Sequence, residues 1–217
     1  MTQNQMKINV SKAALAYLPK NKIIGIGTGT TINYFIDLLA DIKHLIAGAV
    51  ASSIASAARL KSHQIPVFDL NAVDEVALYV DGADSFNSDK KLIKGGGGAL
   101  TREKIIANTS RKFLCIVDGT KKPSVLGSFP IPVEVIPMAR TYVSHEIIKL
   151  GGEPIYRKNF ITDNGNIILD IKNLVVQQPI ELEQKLNNIA GVVCNGIFGM
   201  RGADAVLIGH EHSVEEL

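Results

Sequence analysis

Three glycine-marked segments of the sequence hold residues whose types and spacing suit chemistry. The first is Gly25-Ile26-Gly27-Thr28-Gly29-Thr30-Thr31. A dinucleotide fingerprint, G-x-G-x-x-G, would need glycine at position 30, which is Thr30, and no Gly-Lys-Ser/Thr follows to make a Walker loop. What is left is a glycine turn with threonine hydroxyls at the start of a helical stretch. Free backbone N–H groups, the helix dipole and those hydroxyls can together hold a phosphate dianion. A tight turn with a threonine cap is the plainer alternative.

The second segment is Asp81-Gly82-Ala83-Asp84, at the end of the apolar run VALYV. In an open α/β sheet the carboxyl ends of the strands border the ligand crevice, so two acids there can bind hydroxyls, transfer protons or hold a divalent metal. No His or Cys accompanies the pair, which makes metal binding the weaker use. An Asx-turn with a helix cap accounts for the same residues without chemistry.

The third segment runs Lys94-Gly95-Gly96-Gly97-Gly98-Ala99-Leu100-Thr101-Arg102-Glu103-Lys104. Four consecutive glycines carry a large conformational entropy cost that a simple connection seldom bears. Lys94 at its entrance can neutralise developing negative charge beside a nest of backbone N–H groups. Glu103, on the first turns of the next helical stretch, is suited to act as a general base where water is kept from it, because desolvation raises a carboxylate's pKa. Taken alone, Glu103 reads more simply as an exposed acid near a helix N-terminus.

Other candidates say less. Lys121 and Lys122, in DGTKKP, suit either a second phosphate contact or ordinary surface positions, and helix capping explains Ser52 and Ser53. His44, His63 and His145 are isolated, and His210-Glu211-His212 is expected in a frayed tail. Cys115 and Cys194 lie in the apolar runs FLCIVD and GVVCNGIF and are expected as reduced core thiols.

The elements that must position these residues follow from periodicity. NKIIGIG (21–27) predicts a strand, and TINYFIDLLADI (31–42), with Ile32, Phe35, Ile36, Leu38 and Leu39 at helical spacing, predicts a helix. The unit recurs: strand 47–52, helix 53–64 ended at Gln64–Pro66, strand 76–84, helix 98–110 and strand 113–118. Strands alternating with helices imply a Rossmann-like layered α/β sheet with mostly parallel strands.

From Pro130 the texture changes. PVEVIP, MARTYVSHEIIKLGG, EPIYRK, TDNGNIILDIKN, PIELEQKLNNIA and GVVCNGIF predict a compact antiparallel α+β domain of the ferredoxin-like kind, with Asp163-Asn164-Gly165-Asn166 as a hairpin turn. The expected division is a main α/β catalytic domain over 1–129 plus about 201–217, and a small domain over about 130–200. ADAVLIG (203–209) is expected to rejoin the main sheet.

Composition narrows the function. Among 217 residues, 23 Lys+Arg nearly balance 21 Asp+Glu, and the basic residues are scattered, so no footprint for nucleic acid exists. No apolar run reaches the ~18–20 residues needed to cross a bilayer, and the N-terminus lacks the order of a signal peptide, so a cytoplasmic location is expected.

In this order and spacing, GIGTGTT, VDGAD and IKGGGGALTREKI, with DGTKKP, PVEVIPMAR, LGGEPIYRKN, TDNGNIILDI and MRGADAVLIG, resemble ribose-5-phosphate isomerase of the A type over about residues 20–209. The resemblance implies reversible conversion of D-ribose 5-phosphate to D-ribulose 5-phosphate in the non-oxidative branch of the pentose phosphate pathway. It implies no metal and no cofactor, a small-molecule pentose phosphate as partner, and a homodimer. The family's substrate loop falls on Thr28, Gly29, Thr30 and Thr31, its acidic loop on Asp81, Gly82, Ala83 and Asp84, and its glycine loop on Lys94, Gly95, Gly96 and Gly97. Its base falls on Glu103 and a further substrate contact on Lys121. Thr30 stands where the family often has Ser, Ser85 where it often has Glu, and Gly98 where Ala is common.

On that resemblance, Glu103 carries a proton between C2 and C1, and Lys94 stabilises the enediolate oxygen with backbone N–H help. Asp81 assists ring opening, Asp84 binds hydroxyls or helps hold Lys94, and the phosphate sits at Thr28–Thr31. Two other readings compete. A non-catalytic sugar-phosphate sensor would keep the phosphate loop and lose the acids, whereas Asp81, Asp84, Lys94 and Glu103 are all present and no helix-turn-helix extension is seen. A related-fold enzyme, such as a CoA transferase or an amino-sugar-phosphate isomerase, is distinguished by the KGGGGALTREK segment.

Overall fold

The computed structural model describes residues 3–217. In chain order its elements are α1 (Gln3–Ala14), β1 (Ile23–Ile26), α2 (Thr30–Ala40), β2 (Gly48–Ala51), α3 (Ile54–Ser62), β3 (Val76–Asp81), β4 (Ser85–Phe86) and β5 (Leu92–Ile93). There follow α4 (Leu100–Thr109), β6 (Ser110–Asp118), β7 (Ile131–Val135), α5 (Arg140–Lys149), β8 (Glu153–Tyr156) and β9 (Ile167–Lys172). The last are α6 (Pro179–Asn187), β10 (Val192–Asn195), β11 (Ile197–Phe198), β12 (Ala205–Gly209) and β13 (Val214–Glu216). They form two compact units, one of Met1–Ala83, Arg102–Lys121 and Ala203–Leu217, the other of Asp84–Thr101 and Lys122–Gly202.

The first unit is built on a six-stranded sheet in the order β13-β12-β6-β3-β1-β2. Its neighbours pair in parallel from β2 to β12, and only β13 is antiparallel. ADAVLIG thus returns to the sheet beside β6, and the tail beyond it is a strand, not a frayed end: His210 and Glu215 meet at 3.2 Å across the β12–β13 turn. The helical spacing of Ile32, Phe35, Ile36 and Leu39 places all four in the core with Ile24, Ile26, Val80 and Ile116. Ser53 caps α3 by accepting from the Ser56 N–H at 3.1 Å. Gln64, at φ +60°, closes the same helix, with the Ile65 N–H donating to Leu60 O at 3.0 Å and the Gln64 N–H to Lys61 O at 2.9 Å. Helix α1 was not anticipated: of its mostly polar residues only Val10, Ser11 and Ala14 are buried.

In the second unit, β7-α5-β8-β9-α6-β10 forms a four-stranded antiparallel sheet ordered β10-β7-β9-β8, the ferredoxin-like arrangement. Ile131, Val133 and Val135 alternate along β7 and pack with Val143 and Ile147 of α5 and Leu186 of α6, which turns Pro132 and Glu134 to the other face. The Asn-Gly turn lies inside a longer β8–β9 loop: Gly165 is left-handed at φ +81°, while Asn164 is not. The expected division of the chain and the observed one differ at residues 84–101 and 122–129, which belong to the second unit. The reason is a three-stranded sheet, β11-β5-β4, whose strands are two residues long and carry no readable periodicity. GVVCNGIF is accordingly not one strand. It breaks at Gly196, where a Cβ would lie 2.2 Å from Lys94 O and 2.8 Å from a Pro132 ring carbon. Cys115 and Cys194 are buried and are not joined in a disulfide.

Candidate active site

In the first unit β1 and β3 run side by side with Ile26 opposite Val80, so both strands deliver their following residues to one edge of the sheet. Asp81 ends β3 there, fully buried. Its carboxylate accepts from the Tyr79 hydroxyl, from the Thr28 N–H at 3.1 Å and from the Gly82 N–H at 2.7 Å. That placement dictates Gly27: a Cβ on it would lie 1.9 Å from Asp81 Oδ1. Gly25 in turn leaves room for Ile106 and Tyr79, which a Cβ would meet at 2.5 and 2.8 Å.

Tyr79 donates to Asp81 and lies within the electrostatic reach of Glu103. Its hydroxyl is held well above the ordinary tyrosine value of 10.0, first by burial and then by the negative charges of Asp81 and Glu103. It therefore remains protonated, and a donor, at any working pH. Glu103 stands in the first turn of α4 and is only 4% exposed, so the buried position that general-base chemistry needs is met and the exposed-acid alternative is not.

The threonine loop is organised by hydroxyls. Thr28 Oγ1 lies 2.7 Å from Ser52 Oγ, and Ser56 Oγ donates to Gly27 O at 2.7 Å. Ser52 thus braces the loop, while Ser53 alone is the cap. Gly29, at φ +124°, precedes α2, which begins with Thr30 and Thr31 and has no side-chain cap. Its leading N–H groups are placed as an anion site requires. Lys7 Nζ donates to Thr30 Oγ1 at 2.9 Å, adding a positive charge to this loop from α1. Lys121 is half-buried in the turn after β6, with its N–H on Asp118 O at 3.0 Å.

The second unit holds the other candidates. Asp84 accepts from the Gly96 N–H at 2.7 Å, and its own N–H donates to Ile93 O at 2.9 Å. Lys94 is buried. Its N–H donates to Gly196 O at 2.9 Å and its ammonium stands 5.5 Å from the centre of the Phe198 ring, a cation–π contact. Gly95 and Gly98 are left-handed at φ +100° and +83°, and the Gly98 N–H closes a turn on Gly95 O at 2.9 Å. Gly96 and Gly97 are exposed at its tip. Ser85 is buried in β4.

Sequence reasoning did not single out Lys7, Glu134 or Arg157. Lys7 sits on a polar helix without a motif. Glu134, fully buried on the polar face of β7, accepts from Thr101, from Thr162 at 2.7 Å, from Asn164 at 3.1 Å and from Asn166 at 2.8 Å. The alternation of VEV could have flagged it, since a glutamate between inward-facing valines must face something polar if it is buried. Thr101, the second residue of α4, is tied into this network.

The family model described as "Ribose 5-phosphate isomerase A (phosphoriboisomerase A)" matches residues 48–213. The chain belongs to this family. Solved ribose 5-phosphate isomerases A match along the whole chain. The one from Neisseria gonorrhoeae is 42% identical with a TM-score of 0.96, covering 100% of this chain and 97% of its own. The one from Methanocaldococcus jannaschii is 36% identical with a TM-score of 0.94, covering 100% and 99%. A D-ribose-5-phosphate isomerase in complex with phospho-erythronic acid is 37% identical with a TM-score of 0.96, again covering 100% and 99%. As a member of the ribose 5-phosphate isomerase A family the chain is an enzyme, and isomerisation of ribose 5-phosphate is its activity.

Proposed function

We propose that the chain interconverts D-ribose 5-phosphate and D-ribulose 5-phosphate through an enediolate, with Glu103 as the proton carrier. The observation that supports this most is the burial of the Glu103 carboxylate in the first turn of α4. In the open-chain aldose Glu103 takes the proton from C2. The C2–H electron pair becomes the C1–C2 double bond, and the carbonyl pair moves onto O1. Return of the proton from Glu103 to C1, with transfer of the O2 proton to O1, completes the ketose.

Lys94 and the N–H groups of the glycine loop stabilise the negative oxygen of the intermediate, as preorganised donors do where charge develops. Asp81 assists ring opening and Asp84 binds substrate hydroxyls. The 5-phosphate is taken by Thr28, Gly29, Thr30 and Thr31, with Lys121 and Lys7 supplying charge. The phospho-erythronic acid held by the relative fits this reading, because it is a phosphorylated sugar acid whose planar carboxylate resembles an enediolate. The reaction moves protons and no electrons to an acceptor, so acid, base and oxyanion partners suffice without metal or cofactor.

Glu103→Gln tests the assignment. Loss of general-base catalysis should lower kcat by about a hundred to ten-thousand-fold with KM changed only a few-fold; a purified, folded variant with near-normal kcat would remove Glu103 from the mechanism. Ribulose 5-phosphate formation should also persist after EDTA treatment, and loss reversed by added metal would overturn the cofactor-free chemistry. A homodimer working in the cytoplasm accords with the family and with the absence, among the described residues, of a helix long and apolar enough to cross a membrane. Light scattering on the purified protein decides the first point.

A further inference from the structure

We propose that Arg157 is a positioning residue that holds the glycine loop in the shape needed to present the Gly97 N–H to the oxygen of the reaction intermediate; this rests on the function proposed above. Arg157 follows β8. Its Nη1 donates to Gly96 O at 3.1 Å and to Gly95 O at 3.3 Å, and its Nη2 reaches Gly95 O at 3.4 Å. The other edge of the guanidinium is locked by Asp170 of β9, with Nε to Oδ2 at 2.8 Å and Nη2 to Oδ1 at 2.5 Å. The guanidinium also stacks 5.3 Å from the centre of the Phe160 ring. That ring occupies the place where a Gly98 Cβ would be, 2.1 Å from it.

Such a clamp is needed because glycine peptides rotate with little steric resistance. In a trans peptide the carbonyl and the N–H point to opposite sides, and the described chain has no cis peptide. Fixing the Gly95 and Gly96 carbonyls on Arg157 therefore fixes the direction of the Gly96 and Gly97 N–H groups. The first meets Asp84, and the second is directed away from the guanidinium. Only a planar fork of donors can serve two carbonyls and a bidentate carboxylate together, so lysine is a poor replacement.

The test compares wild type with Arg157→Met, Arg157→Lys and the double variant Arg157→Met/Asp170→Asn, which avoids leaving a half-buried carboxylate without its arginine. All three should lose about 10–100-fold in kcat with KM within about threefold, because removing a single oxyanion donor costs about 10²–10³ and a loosened loop costs less. Inhibition by phospho-erythronic acid should weaken in proportion to kcat/KM, and amide hydrogen exchange across residues 94–99 should accelerate in a double variant that melts as a folded protein. A folded double variant with kcat within threefold of wild type, or with unchanged exchange at 94–99, overturns the proposal. An inactive wild-type enzyme would instead sink the reading of function, and the exchange measurement would still decide whether Arg157 clamps the loop.

Discussion

The two glycine loops solve opposite problems. In Gly25–Gly29 two of the three glycines are required by what lies against them: Gly25 makes room for Ile106 and Tyr79, and Gly27 for the Asp81 carboxylate, while Gly29 is set by its φ of +124°. Neighbouring strands and the hydroxyls of Ser52 and of Ser56 in α3 then hold the backbone from within the same unit. In Gly95–Gly98 two of the four glycines are required by left-handed backbone, and rigidity comes from Arg157, Phe160 and Asp84, two of them some 60 residues further along the chain. The first loop is shaped by packing and the second by polar and aromatic clamps. A phosphate group, the same at every stage of the reaction, suits the former. An oxygen whose charge appears only in the intermediate needs donors set in advance, and those must be held by something other than the substrate.

Substitutions at the glycines probe this contrast most sharply. Gly27→Ala should have the largest effect, because its Cβ can be accommodated only by displacing Asp81. We expect kcat/KM to fall at least about a hundredfold, the scale of losing an acid–base group, and steady-state assays with a thermal melt would show whether activity falls further than stability. Lys7→Met comes next: a charge-assisted hydrogen bond is worth roughly 1.5–3 kcal/mol, so KM should rise about tenfold or more with kcat little changed. Equal losses in both parameters would show that Lys7 serves the chemistry.

Gly98→Ala should cost about tenfold in kcat, since φ +83° strains an L residue by about 1–2 kcal/mol and the methyl meets Phe160. If the clamp is the cause, Gly98→Ala/Phe160→Leu should recover part of that loss, a non-additivity visible in a double-mutant cycle.

The smallest effect lies in a second arginine–aspartate pair, Arg59 with Asp37. Arg59 holds the Asp37 carboxyl below its ordinary value of 3.8, against the opposing effect of burial and with help from His63. A depressed carboxylate stabilises the fold above that ordinary value and loses the contribution as pH falls through its lower, folded pKa. Both side chains of this pair are more than a third exposed, so solvent screening limits it to a few tenths of a kcal/mol. The melting-point difference between wild type and Asp37→Asn should shrink as pH is lowered from 5 to 3, and a constant difference would show that the pair is electrostatically idle.

What could be read from the sequence was whatever repeats along it. The spacing of Ile32, Phe35, Ile36 and Leu39 carries periodic burial, the runs ending in Gly27 and Asp81 are apolar and buried almost throughout, and the structure places them as a helix and two strands of one unit. Glycine clusters marked both loops. Features made by residues distant in sequence were hidden. The pairing of Phe86, Leu92 and Phe198 involves strands too short to show a period, α1 has almost no apolar stripe, and Lys7 meets Thr30 from 23 positions upstream. The polar residues of TDNGN read as a turn because turn chemistry and a ring of donors around a buried glutamate use the same side chains.

The chain passes between the two units after Ala83, Thr101, Lys121 and Gly202. Neither unit is therefore a continuous stretch of polypeptide, and one passage divides Asp81 from Asp84 within a single tetrapeptide. No single cleavage or deletion can isolate one half of this enzyme, and exchanging either half with a relative would need several simultaneous splices. The molecule is inherited, and must be engineered, as an indivisible whole.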